Sequence, residues 1–316
     1  MDLINLPHLK TRKSESLCSR IHPLHWEPGQ LPDNGRVILS ASSDLGVVIN
    51  GGRRGASFGP KAIVNQLCKL QDHLEGSIFH GELANCDSEA KNFFGHQESM
   101  KAKIVQTLLK GPAPLVHIGG GHDHILPLLK ALHQVEAHTQ HQLAIINLDP
   151  HLDTRVDAIA HSGNPFRIFA QSCTQTCRLW QIGTQDFANS AENYLGMDKL
   201  AMTSVAMSTV INEGLIAQAK WWKMLIEDLS TFCLRAPTTL VLSLDADSIE
   251  SSSMQGVSAP GPMGFSLREI LHMIEDLKTL PTDRKVFGIY EYNPLYDNVS
   301  GTGARALAQL IYQFLK

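Results

Sequence analysis

The chain has 316 residues, 43% of them hydrophobic and 18% charged, with a formal net charge of −4. That length holds one well-buried α/β domain or two small ones, and the composition is that of a globular protein, not a disordered one. A mildly acidic chain without a Lys/Arg-dense stretch offers no field for nucleic acid, and no apolar run approaches the ~20 residues of a membrane-spanning helix.

Residues 1–5 lack the basic segment and long apolar core of a secretory signal. Six scattered cysteines suit reduced thiols, so a cytoplasmic setting is expected. Cys173 and Cys177 are the close pair, a spacing that neither builds a zinc site alone nor establishes disulfide geometry. Fifteen histidines exceed what one site can use, so His80, His133 and His141 read as surface or satisfied residues.

Residues 1–35 mix Pro, Lys and Ser and read as a peripheral N-terminal arm. Short strands are expected at 37–39 and 47–49. Pro60 suits the first turn of a helix, and Ile63, Leu67, Leu70 and Leu74 then fall on one helical face. A polar loop is expected over 88–98. A strand at 114–118 enters a glycine-rich turn, followed by a helix over 125–132 carrying Leu126, Leu129 and Leu132. Strands follow at 143–148, 180–182 and 202–205. An amphipathic helix is expected over 215–229, with Trp221, Trp222, Leu225 and Leu229 available for burial. A strand at 239–244, a helix at 267–277, a strand at 286–290 and a helix at 304–314 complete the alternation. Loops are expected at 153–164 and 250–264. This order predicts an α/β protein of three layers, α/β/α, around a mostly parallel sheet. Without internal repeat or linker, the expectation is a single domain over 1–316.

Three of the strands end on acids and histidines: Gly119-Gly120-Gly121-His122-Asp123-His124, Asp149-Pro150-His151-Leu152-Asp153 and Asp245-Ala246-Asp247. A fourth ends on Glu291. Strand carboxyl ends in a parallel sheet share one edge, where ligands bind. Carboxylates gathered there repel one another unless a cation neutralises them. Each motif has a plainer reading. Asp149 alone could cap a helix, Asp245-x-Asp247 could bind one metal, a sugar-phosphate or nothing, and the glycine turn could cradle phosphate. The P-loop pattern is absent, however. Taken together the motifs point to a two-metal hydrolytic site. Oxygen-rich ligation with two imidazoles suits Mn²⁺ better than thiolate-bound zinc.

In this order the motifs resemble the ureohydrolase superfamily of arginases, agmatinases and formimidoylglutamases. The patterns GG[DG]H, DxHxD, SxDxD and ExNP are matched at 119–122, 149–153, 243–247 and 291–294, and the similarity spans roughly 44–300. The resemblance implies an arginase-like fold and two Mn²⁺ per subunit. His122, Asp149, Asp153 and Asp245 would hold one ion. His151 and Asp247 would hold the other, with Asp149 and Asp245 bridging. Asp153 would also relay a proton, and Glu291 would face the amidine-like end of a substrate, its plainer role being a cap or an ion pair.

The runs 50–56, 119–122, 162–167 and 256–260 resemble the formimidoylglutamase branch. Arg155 stands where arginases carry a neutral amide, and its guanidinium can clamp a carboxylate, or else pair with Asp157. Ser162 and Asn164 could bind an α-carboxylate or form a polar turn. Phe166 replaces a histidine proton shuttle of arginases. Pro150 replaces a small residue, Asp123 reads as outer support for a ligand, and 250–253 departs from the usual pattern. The implied activity is hydrolysis of the small molecule N-formimidoyl-L-glutamate to L-glutamate and formamide, in histidine degradation, by a homo-oligomer. The rivals are a urea-releasing enzyme acting on agmatine, guanidinobutyrate or arginine, and a non-catalytic metal-binding protein.

Overall fold

The structure is a computed structural model and describes residues 16–83, 93–136, 141–214 and 216–316. Among the described residues, nine strands form one sheet: Ile21–Pro23 (β1), Arg36–Ala41 (β2), Ile78–Glu82 (β3), Leu115–Gly119 (β4), Gln142–Leu148 (β5), Cys177–Thr184 (β6), Met202–Ala206 (β7), Thr238–Asp245 (β8) and Arg284–Tyr290 (β9). Their order is β1-β3-β2-β4-β9-β8-β5-β6-β7, and each pairing is parallel.

A parallel sheet is covered on both faces, so its central strands are apolar without interruption. Every residue of β5 and of β8 is buried. Alternate side chains enter opposite cores, as the two-residue period of a strand requires. Ala144, Ile146 and Leu148 pack with Ile63, Leu229, Ile274 and Leu307 on one side. Leu143 and Ile145 pack with Ile104, Leu129 and Phe169 on the other. The first layer holds the helices Gly59–Leu67, Lys220–Cys233, Leu267–Lys278 and Thr302–Leu315. The second holds Phe93–Leu108, Ile125–Glu136 and Pro165–Ser172.

Several expected elements differ. Residues 47–49 are not a strand but part of the short helix Leu45–Ile49. Their β-branched side chains favour a strand, yet Val47 packs under Gly52 and Gly121, and that contact overrides propensity. The helix at Gly59 stops at Leu67, because the chain then turns to give the Leu70 carbonyl to the amide of Leu17. Residues 93–98 are helical, not a loop, and 88–92 lie outside the described residues. The helix expected over 215–229 is preceded by a break at Gly214, whose φ is +74°. Met207–Glu213 precedes that break and Lys220–Cys233 follows it, with all four expected side chains buried. Part of the expected N-terminal arm is structural: β1 extends the sheet edge against β3, and Leu17 and Leu24 are buried. Residues 1–15 lie outside the described set. No described helix is long and apolar enough to cross a membrane.

What matters for function is the sheet order. The strands that carry the acidic motifs, β4, β5, β8 and β9, are adjacent in the order β4-β9-β8-β5. Their carboxyl ends therefore stand side by side at the middle of one edge.

Candidate metal centre

After β4 the backbone passes unusually close to its neighbours. A Cβ on Gly120 would lie 1.9 Å from the Ser43 carbonyl oxygen, so only glycine lets His122 descend to full burial. The amides of this turn are spent within the protein: Gly120 N donates to Ala41 O and Gly121 N to Ser43 O. That leaves no cradle for phosphate. After β5 the chain reverses at Asp153, whose φ is +51°, and after β9 it does so at Glu291, at +63°. Left-handed backbone at a non-glycine residue costs about 1–3 kcal/mol and concentrates at functional sites.

Two overlapping ligand groups result. Oxygen and nitrogen atoms of His122, Asp149, Asp153 and Asp245 all lie within 4.8 Å of one another, as do those of Asp149, His151 and Asp247. Nδ1 of His122 is 3.1 Å from Asp149, 2.9 Å from Asp153 and 3.2 Å from Asp245. Despite these distances it makes no well-directed hydrogen bond to any of them. A buried imidazole nitrogen facing three carboxylates at nearly equal range fits a shared cation. His151 Nδ1 lies 3.3 Å from Asp149 and 3.5 Å from Asp247, whose Oδ1 is also without a hydrogen-bond partner among the described residues. Asp149 belongs to both groups. Asp245 falls in the first, and its Oδ1 accepts the amide of Asp247 at 2.9 Å.

The outer contacts orient these ligands. His122 Nε2 and Ser243 Oγ share a 2.9 Å hydrogen bond. Asn147 donates to Asp149 at 3.2 Å, and Asn189 clamps the turn by accepting from Leu152 N and donating to Pro150 O, each at 2.8 Å. Pro150 therefore leaves the three ligands of its motif together. Asp123, expected to support a ligand, instead meets Gln97 at 3.3 Å and His124 at 3.8 Å, its carboxylate crowded by Gly46 and Gly121. Asn189 and Asn193, which line the cleft, carried no signal in a polar, irregular stretch of sequence.

Glu291 accepts the amide of His122 at Oε1, 3.0 Å away, and borders the cleft. The cleft holds about 220 Å³, with the acids on its floor and Arg155, Asn50, Ser162 and Ser258 on its walls. Arg155 Nη1 donates to Asn50 Oδ1 at 2.7 Å, and Asn50 Nδ2 donates to Ser162 Oγ at 3.1 Å. Asp157 pairs with His161 and not with Arg155. Asn164 does not reach the cleft. It is buried, accepts from His161 N and donates to Ile159 O, so it fastens its own loop.

Crowding among these buried groups shifts their proton affinities. Burial opposes the charged form of His122, but the three carboxylates raise its pKa well above the usual value. Burial is likewise outweighed at His151, where Asp247 and Asp149 raise the pKa to about 11. Burial and Asp149 lift Asp153 to about 6, while burial and Asp245 lift Asp247 well above the carboxylate range.

Residues 36–316 match the arginase family, and the chain belongs to that family. It is 30% identical over 282 residues to the formimidoylglutamase of Hahella chejuensis, covering 87% of this chain and 83% of that one. It is 28% identical over 285 residues to the formimidoylglutamase of Salmonella typhi, covering 87% and 83%. Among solved structures it resembles Trypanosoma cruzi formiminoglutamase with Mn²⁺, at 26% identity and a TM-score of 0.75, covering 95% of this chain and 97% of that one. The formimidoylglutamase of Bacillus subtilis shares the fold, at 21% identity and a TM-score of 0.76, covering 96% and 91%.

A divalent cation entering this site must displace the protons held by His122, His151 and Asp247, and near pH 6 or below that of Asp153 as well. The sign follows: acid favours the protons, so affinity rises with pH, by about tenfold per pH unit for each proton displaced. Titration calorimetry with Mn²⁺ between pH 6 and pH 8 should show this rise, whereas a flat profile contradicts the site.

Proposed function

We propose that this chain is a Mn²⁺-dependent hydrolase of N-formimidoyl-L-glutamate, giving L-glutamate and formamide in histidine degradation. The observation that carries the reading is Arg155 opening onto the same cleft as the paired His/Asp groups. His122, Asp149, Asp153 and Asp245 would hold one ion, and Asp149, His151 and Asp247 the other. When bound, such a pair supplies Lewis acidity and lowers the pKa of a water.

The chain's own groups do the rest. Arg155 clamps a substrate carboxylate through paired N–H donors, and Asn50 steers its guanidinium by occupying Nη1. Ser162 is held by the same amide. Formimidoylglutamate presents two carboxylates and agmatine none, so a cationic wall favours the former. With Oε1 engaged by His122 N, the other oxygen of Glu291 accepts from the amidine N–H and favours its positive charge. Asp153 takes the proton of the attacking water as the formimidoyl carbon is attacked, and returns it to the departing glutamate nitrogen.

We read the chain as one domain because β1–β9 form one sheet. We place the chain in the cytoplasm on the scattered spacing of its cysteines. Exposed Phe187, Ile211 and Met263 beside one cavity suit a face between copies in a homo-oligomer.

Mn²⁺-loaded protein offered formimidoylglutamate, arginine, agmatine and guanidinobutyrate should release formamide from the first and no urea from the others. Urea would overturn the substrate, and silence with a full metal load would overturn the enzyme. Asp245→Asn should lose metal and depress kcat by more than the ~10–100-fold that an outer-shell partner costs. Full occupancy with normal turnover in that variant contradicts the assignment. Arg155→Ala should raise KM for formimidoylglutamate about 10- to 100-fold, the worth of a charged hydrogen bond, with kcat changing far less.

A further inference from the structure

Behind the first ligand group, β4 and β9 build a second arrangement that the proposed chemistry does not use. His117 of β4 stands opposite Gly288 of β9, and the next positions on that face are Gly119 and Tyr290. The Tyr290 ring occupies the room the two glycines leave. A Cβ on Gly119 would come within 2.7 Å of Tyr290 Cδ1, and one on Gly288 within 2.5 Å of the Tyr290 hydroxyl oxygen.

At its outer end the Tyr290 hydroxyl shares a 2.9 Å hydrogen bond with His117 Nδ1. Its ring lies flat on the imidazole of His122, with centroids 4.9 Å apart and planes inclined by 20°. All three side chains are fully buried. Among the described residues, Nε2 of His117 has no hydrogen-bond partner. A buried polar atom left so costs about 1–3 kcal/mol, and an apolar pair of the same shape would fill the space without it. Packing alone therefore does not account for this pair.

We propose that His117 and Tyr290 are positioning residues that hold the plane of the His122 imidazole so that Nδ1 faces Asp149, Asp153 and Asp245. Tyr290 covers one face of the ring, Phe166 meets it edge-on at 5.7 Å, and Ser243 engages Nε2. With those directions closed, Nδ1 is left to the carboxylates. The hydroxyl bond to His117 keeps the tyrosine ring from sliding along the glycine channel. This inference rests on the first ligand group being a cation position. It separates the two groups, since the ring that Tyr290 covers, His122, belongs to the first alone.

The test is equilibrium dialysis against Mn²⁺ with metal analysis, beside thermal unfolding, on the wild-type chain and on Tyr290→Leu, Tyr290→Phe, His117→Leu and the Tyr290→Phe/His117→Leu double variant. The wild-type chain should take up two ions. Tyr290→Leu should weaken one of them about 10–100-fold, the range for an outer-shell contact, and leave the other within about twofold. Tyr290→Phe and His117→Leu remove the same hydrogen bond, so each should weaken that same ion and the double variant should be no weaker than the weaker single one. If Tyr290→Leu does not fold, Tyr290→Phe decides, because its ring fills the same space. Two ions bound at wild-type affinity in these variants would overturn the positioning role, as would both ions weakening in step with thermal stability. A wild-type chain that takes up no Mn²⁺ would overturn the metal reading as well.

Discussion

Mutual repulsion among buried carboxylates is the constraint that organises this protein. Asp149, Asp153, Asp245, Asp247 and Glu291 are all buried along one sheet edge, close enough to perturb one another. A site of that kind is stable only if something positive meets the oxygens. The backbone contributes first. His151 N donates to Asp149, Asp247 N to Asp245 and His122 N to Glu291, at 2.7, 2.9 and 3.0 Å. Such charge-assisted bonds explain why each motif turns sharply as soon as its strand ends. The histidines contribute next, holding Asp149 down at about 2 while burial pushes it up. The remaining imbalance, carried by Asp153, Asp247 and Glu291, is what a pair of cations would neutralise.

The same edge supplies the wall of the cleft through two loops that are tied together. Ser162 N donates to Gly46 O, and Arg155 N donates to Gly163 O. Gly163 has to be small there. A Cβ would come within 3.0 Å of Asn50 Nδ2 and 3.2 Å of Arg155 Cδ, displacing the contact that aims the guanidinium. Under the proposed function, substrate choice would depend on the fit of two loops, while the candidate metal ligands depend on strand ends. Such a division lets one fold carry different substrates.

Much of the site was legible in the sequence because its chemistry permits few alternatives. Acids and histidines at the ends of apolar runs have one physical reason to gather, and all six expected metal ligands do come together. Arg155 and Ser162 also reach the cleft. Asn164 was misplaced because an amide in a polar turn reads alike whether it meets a substrate or its own loop. Asp123 misled in the same way: its neighbour His122 is a candidate ligand, but its own carboxylate turns toward Gln97.

The sequence by itself determined the class of sheet and the chemical character of its edge. Burial on both faces demands unbroken apolar strands, and binding hard cations demands carboxylates and imidazoles where those strands stop. Tertiary structure decided which strands are neighbours, and so which ligands meet. The motifs occur along the chain in the order β4, β5, β8, β9, yet the sheet sets them as β4-β9-β8-β5. It also decided that Val47–Ile49 coil instead of extending, and that Tyr290 lies between His117 and His122. Those outcomes depend on contacts between segments far apart in the chain, which local propensity and spacing do not encode.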